Sequence, residues 1–164
     1  MNKKYKISVI TVTKNSKKFL EENILSLKKQ SYKNYEHIII DGDSTDGTQK
    51  IIQKYNKDIK YWISEPDKGI YDAMNKGVIQ ATGDYICFVN GGDFLYENSL
   101  ISVNKLFSVQ KNRFFFSVAD IDYVDHKNKV VGSKICLSSE QIIKRKFIEM
   151  PTNHLGIFVP LESL

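Results

Sequence analysis

The chain of 164 residues carries a net charge of +5, and with 41% hydrophobic and 26% charged residues it can bury a core of its own and is unlike a disordered segment. No apolar run approaches the length of a membrane span, and the strand-like start carries no secretory leader, so a cytoplasmic protein is expected. The lysines are scattered rather than banked on one segment, which suits a solvated surface and argues against nucleic acid as a partner. The positive balance stays compatible with phosphate groups and with peripheral contact at the anionic inner face of a membrane. Cys87 and Cys136 lie in separate apolar stretches without C-x-x-C spacing and read as buried free thiols.

In chain order, residues 7–13 form a short β-branched run, apolar enough for a buried parallel strand. Over residues 17–30, Phe19, Leu20, Ile24, Leu25 and Leu27 recur at helical spacing. Residues 35–40 make a second strand that ends at Asp41-Gly42, after which Ser44 is placed to cap a helix bearing Ile51, Ile52 and Tyr55. A third strand is expected at 59–64, closed by Glu65-Pro66. A helix at 69–81 follows, with Ile70, Ala73, Met74, Val78 and Ala81 inward. Residues 85–89 form a fourth, nearly all-apolar strand running straight into Asn90-Gly-Gly-Asp93. Strands alternating with helices at this spacing argue for a parallel α/β sheet with right-handed crossovers. Beyond Leu100 the rhythm changes: a helix at about 99–109, extended segments at 114–123 and 129–137, a short helix at 139–146 and an extended 154–159 suggest a mixed second half.

Open parallel sheets bind ligands beyond the carboxyl ends of their strands. Four polar segments occupy those ends here, at Thr13-Lys-Asn15, Asp41-Gly-Asp43, Glu65-Pro-Asp-Lys68 and Asn90-Gly-Gly-Asp93. Asp93 follows a buried strand beside two glycines, where bulky oxygen ligands can come close. That suits a hard cation such as Mg²⁺ or Mn²⁺, which takes one or two carboxylates plus phosphates. A turn-capping aspartate would look similar. Asp41 and Asp43 suit hydrogen bonds to a base edge or a ribose hydroxyl, or else a strand end and a helix cap. Lys68 precedes a helix N-terminus, a favourable place for phosphate. Asp72 and Asn75 share a helical face that either shapes the site or supports the turn containing Asp67. Asp120 and Asp122 read as the polar face of a strand rather than as metal or acceptor ligands. An EF-hand reading of the segment from Asp41 fails, because Asp46 stands where that loop needs glycine and Ile52 where it needs glutamate. G-x-G-x-x-G, Walker, zinc and nucleophile-elbow signatures are absent from the sequence.

Taken together, the blocks at 7–15, 41–48, 65–77, 81–85 and 90–93 resemble the family 2 glycosyltransferases of the GT-A fold, in a form similar to enzymes of bacterial surface or capsular polysaccharide synthesis. The resemblance implies a Rossmann-type three-layer α/β sandwich, read as one nucleotide-sugar-binding domain over residues 1–164. It further implies an inverting transfer from a nucleoside-diphosphate sugar (a UDP-sugar favoured) to a hydroxyl of a saccharide or lipid-linked saccharide, with Mn²⁺ or Mg²⁺. Thr13 and Asn15 would lie in the nucleotide pocket, Asp41 against the base, and Asp43 and Lys68 near ribose or phosphates. Asp67, Asp72, Asn75, Asn90, Gly91 and Gly92 complete the donor-site set. Asp93 would be the metal-binding member of a D-x-D-like motif whose first acidic position is taken by Gly91. His154 resembles a position on the acceptor side. The family's catalytic base lies in an acidic segment that follows the region matching 154–164, so it is expected beyond Leu164, together with the helix that shapes the acceptor groove. Asp120, Asp122, Asp125 and Glu149 do not match that segment. A donor-binding module without transfer activity is the alternative.

Overall fold

The structure, a computed structural model, describes residues 3–109, 117–135 and 156–163. Strand β1 (Ile7–Thr13) is central and fully buried, with β2 (Tyr35–Asp41) and then β3 (Tyr61–Ser64) on one side and β4 (Tyr85–Phe88) on the other, all parallel. Strand β8 (Ile157–Pro160) runs antiparallel to β4, and β5 (Ser117–Val118) antiparallel to β8. The six-stranded sheet therefore has the order β3-β2-β1-β4-β8-β5. It is parallel in its first half and mixed in its second, as the change of rhythm after Leu100 suggested. Strands β6 (Ile121–Val124) and β7 (Val130–Lys134) form a separate antiparallel hairpin.

Alternation along the strands sends side chains to two helical layers. Ile10 and Val12 of β1, Ile38 and Ile40 of β2 and Ile86 of β4 pack on one face with Ala73 and Met74 of α3 (Ile70–Gln80). Ile39 packs on the opposite face with Leu20 and Ile24 of α1 (Leu20–Lys28) and Ile52 of α2 (Thr48–Lys54). Ile7, Val9, Cys87 and Phe158 belong to a cluster with Leu27 of α1 and with Leu100 and Phe107 of α4 (Ser99–Val109). The result is the expected three-layer sandwich. Cys87 is a buried free thiol whose pKa burial pushes up. No helix among the described residues is long and apolar enough to cross a membrane.

Several elements depart from the expected pattern. The first helix begins at Leu20, because residues 14–19 are tied into the loop network described below. Ser44 does not cap the second helix: Gly47 precedes it at φ 101°, and Asp46 accepts the Thr48 N–H at 2.9 Å instead. In α3, Ile70 is 41% exposed, and Gly77 takes its place on the buried face. The third strand begins at Tyr61 rather than at residue 59, after a 3₁₀ turn at Asn56–Asp58. The extended segment expected at 114–123 divides between two sheets, as β5 and β6. The helix expected at 139–146, together with Cys136, Glu149, His154 and Leu164, lies outside the described residues. The expectation of a base segment beyond Leu164 likewise falls outside them, and the last described element is the 3₁₀ turn Leu161–Ser163 that follows β8.

Candidate functional site

Thr13, Asp41 and Ser64 are neighbours across the sheet at the carboxyl ends of β1, β2 and β3. The chain leaves β1 towards β2 and β3 and returns on the other side as β4, so the order reverses between β1 and β4. That reversal is a topological switch point, where adjacent loops part and leave a crevice. The turn at 90–93 stands there, with Gly91 N–H bonded to Val12 C=O at 3.0 Å and Asp93 N–H to Asn90 C=O at 2.9 Å.

The Asp41 carboxylate is wholly buried and is occupied from within the protein. Oδ1 accepts the Ser44 hydroxyl at 2.5 Å, and Oδ2 accepts Ser44 N–H at 3.0 Å and the Ser64 hydroxyl at 2.6 Å. Asp41 thus ties the loop after β2 to the end of β3. The loop after β1 is bound just as firmly. The consecutive N–H groups of Asn15, Ser16 and Lys17 donate to Ser44 Oγ (2.7 Å), Thr48 Oγ1 (2.9 Å) and Asp46 Oδ2 (3.0 Å). Asn15 Oδ1 in turn accepts Thr45 N–H at 3.0 Å. Asn15 and Asp43 sit at φ 52° and 59°, left-handed conformations that asparagine and aspartate tolerate best among side-chain-bearing residues, and both are exposed at the rim.

Asp67 folds over Gly42. Its Oδ1 accepts Gly69 N–H at 2.9 Å, and its Oδ2 lies 2.3 Å from where a Gly42 Cβ would stand, so a side chain at position 42 would push the Asp67 carboxylate aside. Asp72 accepts Lys68 N–H at 3.1 Å and lies 3.4 Å from Lys76, contacts that hold its carboxyl below the usual range. Lys76 also pairs with Glu65 at 2.7 Å, so Asp72 supports the 65–69 turn as one of its two readings required. The side chains of Lys68 and Asn75 are exposed nearby.

Gly91 and Gly92 face different surroundings. A Cβ on Gly91 would lie 2.4 Å from Thr13 Oγ1, so this glycine makes room for a protein side chain rather than for a ligand. An acidic residue cannot stand there without displacing β1. Gly92 has open space. Thr13 Oγ1 and Asn90 Oδ1 are buried without a hydrogen-bond partner among the described residues. Orphaned polar atoms at a switch point suit a polar ligand, because leaving them unpaired costs about 1–3 kcal/mol each. On its other side the turn opens into a cleft of about 680 Å³ lined by Gly92, Asp93, Tyr96 and Asp120, among others. Asp120 lies in the connection between β5 and β6, facing this cleft, so the polar-strand-face reading fails for it. Asp122, on β6, keeps the polar-strand-face reading but lines the same cleft, where it accepts hydrogen bonds from the Tyr96 and Ser133 hydroxyls.

No group of three acidic, histidine or cysteine side chains that could hold a metal occurs among the described residues. A hard cation here would accordingly rely on Asp93 and on oxygens of its ligand, the usual arrangement for Mg²⁺ bound with phosphates. Asp93, the orphaned oxygens and the open Gly92 fit such a group.

The sequence reading missed Asn23, Thr11 and His37. Asn23 is 1% exposed on the apolar stripe of α1 and donates from Nδ2 to Asn90 C=O (3.1 Å) and Asp93 C=O (2.8 Å). The available signal was a carboxamide standing among Leu20, Ile24 and Leu27 at core spacing.

Residues 8–157 match the family described as glycosyl transferase family 2. An uncharacterized glycosyltransferase of Mycobacterium tuberculosis is 40% identical over 88 residues, 53% of this chain and 34% of that protein. A second relative, the GalNAc(5)-diNAcBac-PP-undecaprenol beta-1,3-glucosyltransferase of Campylobacter jejuni, is 35% identical over 99 residues, 58% of this chain and 32% of its own length. Among solved structures, residues 1–349 of TarS from S. aureus, in complex with UDP-GlcNAc, align with a TM-score of 0.59 and 29% identity, covering 62% of this chain and 31% of that one. The chain thus spans about a third of the length of these curated relatives.

Proposed function

The chain belongs to glycosyl transferase family 2 and has its GT-A α/β fold, and from that premise we propose that its switch-point site binds a nucleoside-diphosphate sugar with a divalent cation for transfer to a hydroxyl acceptor. The observation that carries the reading is the pair of orphaned oxygens, Thr13 Oγ1 and Asn90 Oδ1, beside Asp93 and the open face of Gly92. Both lie at the switch point, and a sugar nucleotide supplies donors and acceptors that would pair them once the site takes it in.

In this reading the nucleoside lies over the ends of β1 and β2, with Thr13 and Asn15 beside it. Asp41 sets the loop that meets the base, and Asp43 borders the ribose. Lys68, at the N-terminal end of α3, attracts the phosphates. Asp67 and Asp72 hold the 65–69 turn in place for it, and Asn75 borders the same rim. Asp93 is the protein's cation ligand; bound there, Mg²⁺ or Mn²⁺ would neutralise charge on the departing diphosphate. UDP is the favoured nucleotide, since TarS, a relative in fold and sequence, was crystallised with UDP-GlcNAc. The cleft beyond Gly92 receives the acceptor, a saccharide or lipid-linked saccharide in keeping with the undecaprenol-linked chemistry named for the Campylobacter relative. The acceptor oxygen bonds to the anomeric carbon as its bond to the diphosphate breaks, inverting the centre. The acceptor proton passes to a carboxylate that we assign to the acidic segment following the 154–164 region in the family.

Calorimetric titration with UDP in the presence and absence of Mn²⁺ tests the donor site. Binding should require the metal and weaken at least about tenfold in Asp93→Ala. Absence of metal-dependent binding to any nucleoside diphosphate would overturn the reading. Metal-dependent binding with no sugar released or transferred would make the chain a donor-binding module.

A further inference from the structure

Helix α1 buries an apolar stripe of Leu20, Ile24 and Leu27 and places Asn23 among them. A carboxamide at such a position costs desolvation and is a poorer helix former than the leucine that would fill the space. Its hydrogen bonds account for its presence. The NH₂ group spans the turn at 90–93, donating to Asn90 C=O at one end and Asp93 C=O at the other.

Two carbonyls on one side fix which way the carboxamide points, so Oδ1 faces β1. There it accepts the Thr11 hydroxyl at 3.2 Å. The single Thr11 proton is thereby committed to Asn23, and the Thr11 oxygen must accept from its remaining neighbour, His37 Nε2, at 2.9 Å. His37 is 2% exposed and burial lowers its pKa to about 3, so the ring is neutral and donates from Nε2. Two strands, a helix and the turn are joined in one direction: His37 on β2 to Thr11 on β1, Thr11 to Asn23 on α1, and Asn23 to the turn.

Main-chain contacts also hold the turn, Gly91 N–H to Val12 C=O and Asp93 N–H to Asn90 C=O. These fix its near end. The carbonyl of Asp93 is fixed from below by Asn23, and that sets the direction in which the Asp93 Cα–Cβ bond projects.

We propose that Asn23, oriented by Thr11 and His37, is a positioning residue for the 90–93 turn and through it sets the affinity of the site for a divalent cation with a nucleoside diphosphate. The second half of this statement rests on the proposed donor-site role of Asp93; the first does not.

Hydrogen–deuterium exchange on the ligand-free chain reads the first half. Asn23→Leu should speed exchange at the Asp93 amide, which is bonded to Asn90 C=O, about tenfold while leaving the β4 amides of Ile86 and Cys87 unchanged. Thr11→Val touches neither turn nor ligand but removes the hydroxyl that anchors Asn23 Oδ1 to β1, and should show the same pattern more weakly. Thr11→Ser keeps the hydroxyl and should match wild type. The dissociation constant for Mn²⁺·UDP should rise about tenfold in Asn23→Leu, rise less in Thr11→Val and stay unchanged in Thr11→Ser.

A merely structural role gives the opposite pattern, with a lower unfolding midpoint, faster exchange across the whole sheet, and native affinity in the folded fraction. That result overturns the proposal. Should Asn23→Leu not fold, Thr11→Val and Thr11→Ser decide by the same two readouts. Failure of the wild type to bind Mn²⁺·UDP overturns the donor-site reading and the affinity half of this one, while the exchange data still decide whether Asn23 positions the turn.

Discussion

A Cβ built on Gly91 lies 2.4 Å from Thr13 Oγ1 and 2.8 Å from Thr13 Cβ, whereas one built on Gly92 meets nothing within 4 Å. Neither glycine has a positive φ, so space rather than backbone conformation separates them. Gly91→Asp, which would install an acid at the first position of the D-x-D-like motif, should therefore cost about 2 kcal/mol or more by overpacking β1. Gly92→Asp should stay within about 0.5 kcal/mol of wild type, and any gain in Mn²⁺ affinity should come with that variant. Urea unfolding and Mn²⁺ titration of the two proteins check this, and equal stability would refute the packing argument. The sequence showed two glycines before an acid and suggested close approach of a ligand. It could not show that one of the two was answering to a threonine far away in the chain, because that contact exists only once β1 and β4 pair. Asn23 was hidden for the same reason: helical periodicity marks a residue as inward-facing without showing that a turn of backbone carbonyls lies opposite it.

Helix α3 meets the sheet through Gly77, whose absent Cβ would fall 2.3 Å from Ile10 Cγ2 and 3.5 Å from Ile40 Cγ1. Gly77→Val should cost about 2–3 kcal/mol, the gain in helix propensity being smaller than the overpacking. Combined with Ile10→Ala, which empties the space the valine needs, the loss should fall short of the sum of the two single losses by about 1 kcal/mol. Strict additivity in denaturant unfolding would show that the two residues do not share that contact. The strands of this sheet were legible because β1, β2 and β4 are continuous apolar runs, and the site's location followed from the polar residues at their ends. Burial along α3 was less legible. Spacing gives a residue's angle around the helix and not its position along the sheet, so Ile70, at the site end, carries the right angle and is still exposed. The loops were misjudged in another way. The 44–48 segment looked like a helix cap, but its side chains chiefly bind the N–H groups of residues 15–17, a use that needs the β1 and β2 loops side by side.

Across the whole molecule, two buried titratable groups on β2 make stability depend on pH in successive stages. His37 has a pKa lowered by burial from 6.5 to about 3, so the unfolded chain binds the extra proton first as the pH falls. Folding stability contributed by its neutral form is fully present above pH 6.5 and is lost progressively down to about 3. Glu36, at the opposite end of the sheet from the site, is penalised by burial. The Lys6 ammonium at 2.5 Å and hydrogen bonds from Ser8 and Thr82 more than offset this and hold its pKa at about 2 against an ordinary 4.5. Its contribution is present above pH 4.5 and disappears towards pH 2, so both groups weaken the fold on acidification and His37 acts first. Between pH 6.5 and 4.5 the His37 step should lower unfolding free energy at a slope approaching about 1.4 kcal/mol per pH unit, steepening below 4.5 as Glu36 joins. His37→Gln keeps a donor for Thr11 but cannot titrate. Its stability should be lower than wild type at pH 7 and nearly flat from pH 6.5 to 4.5, with the steep fall below 4.5 retained. Urea unfolding at half-unit intervals measures both curves; a His37→Gln profile running parallel to wild type through that window would remove His37 as the cause.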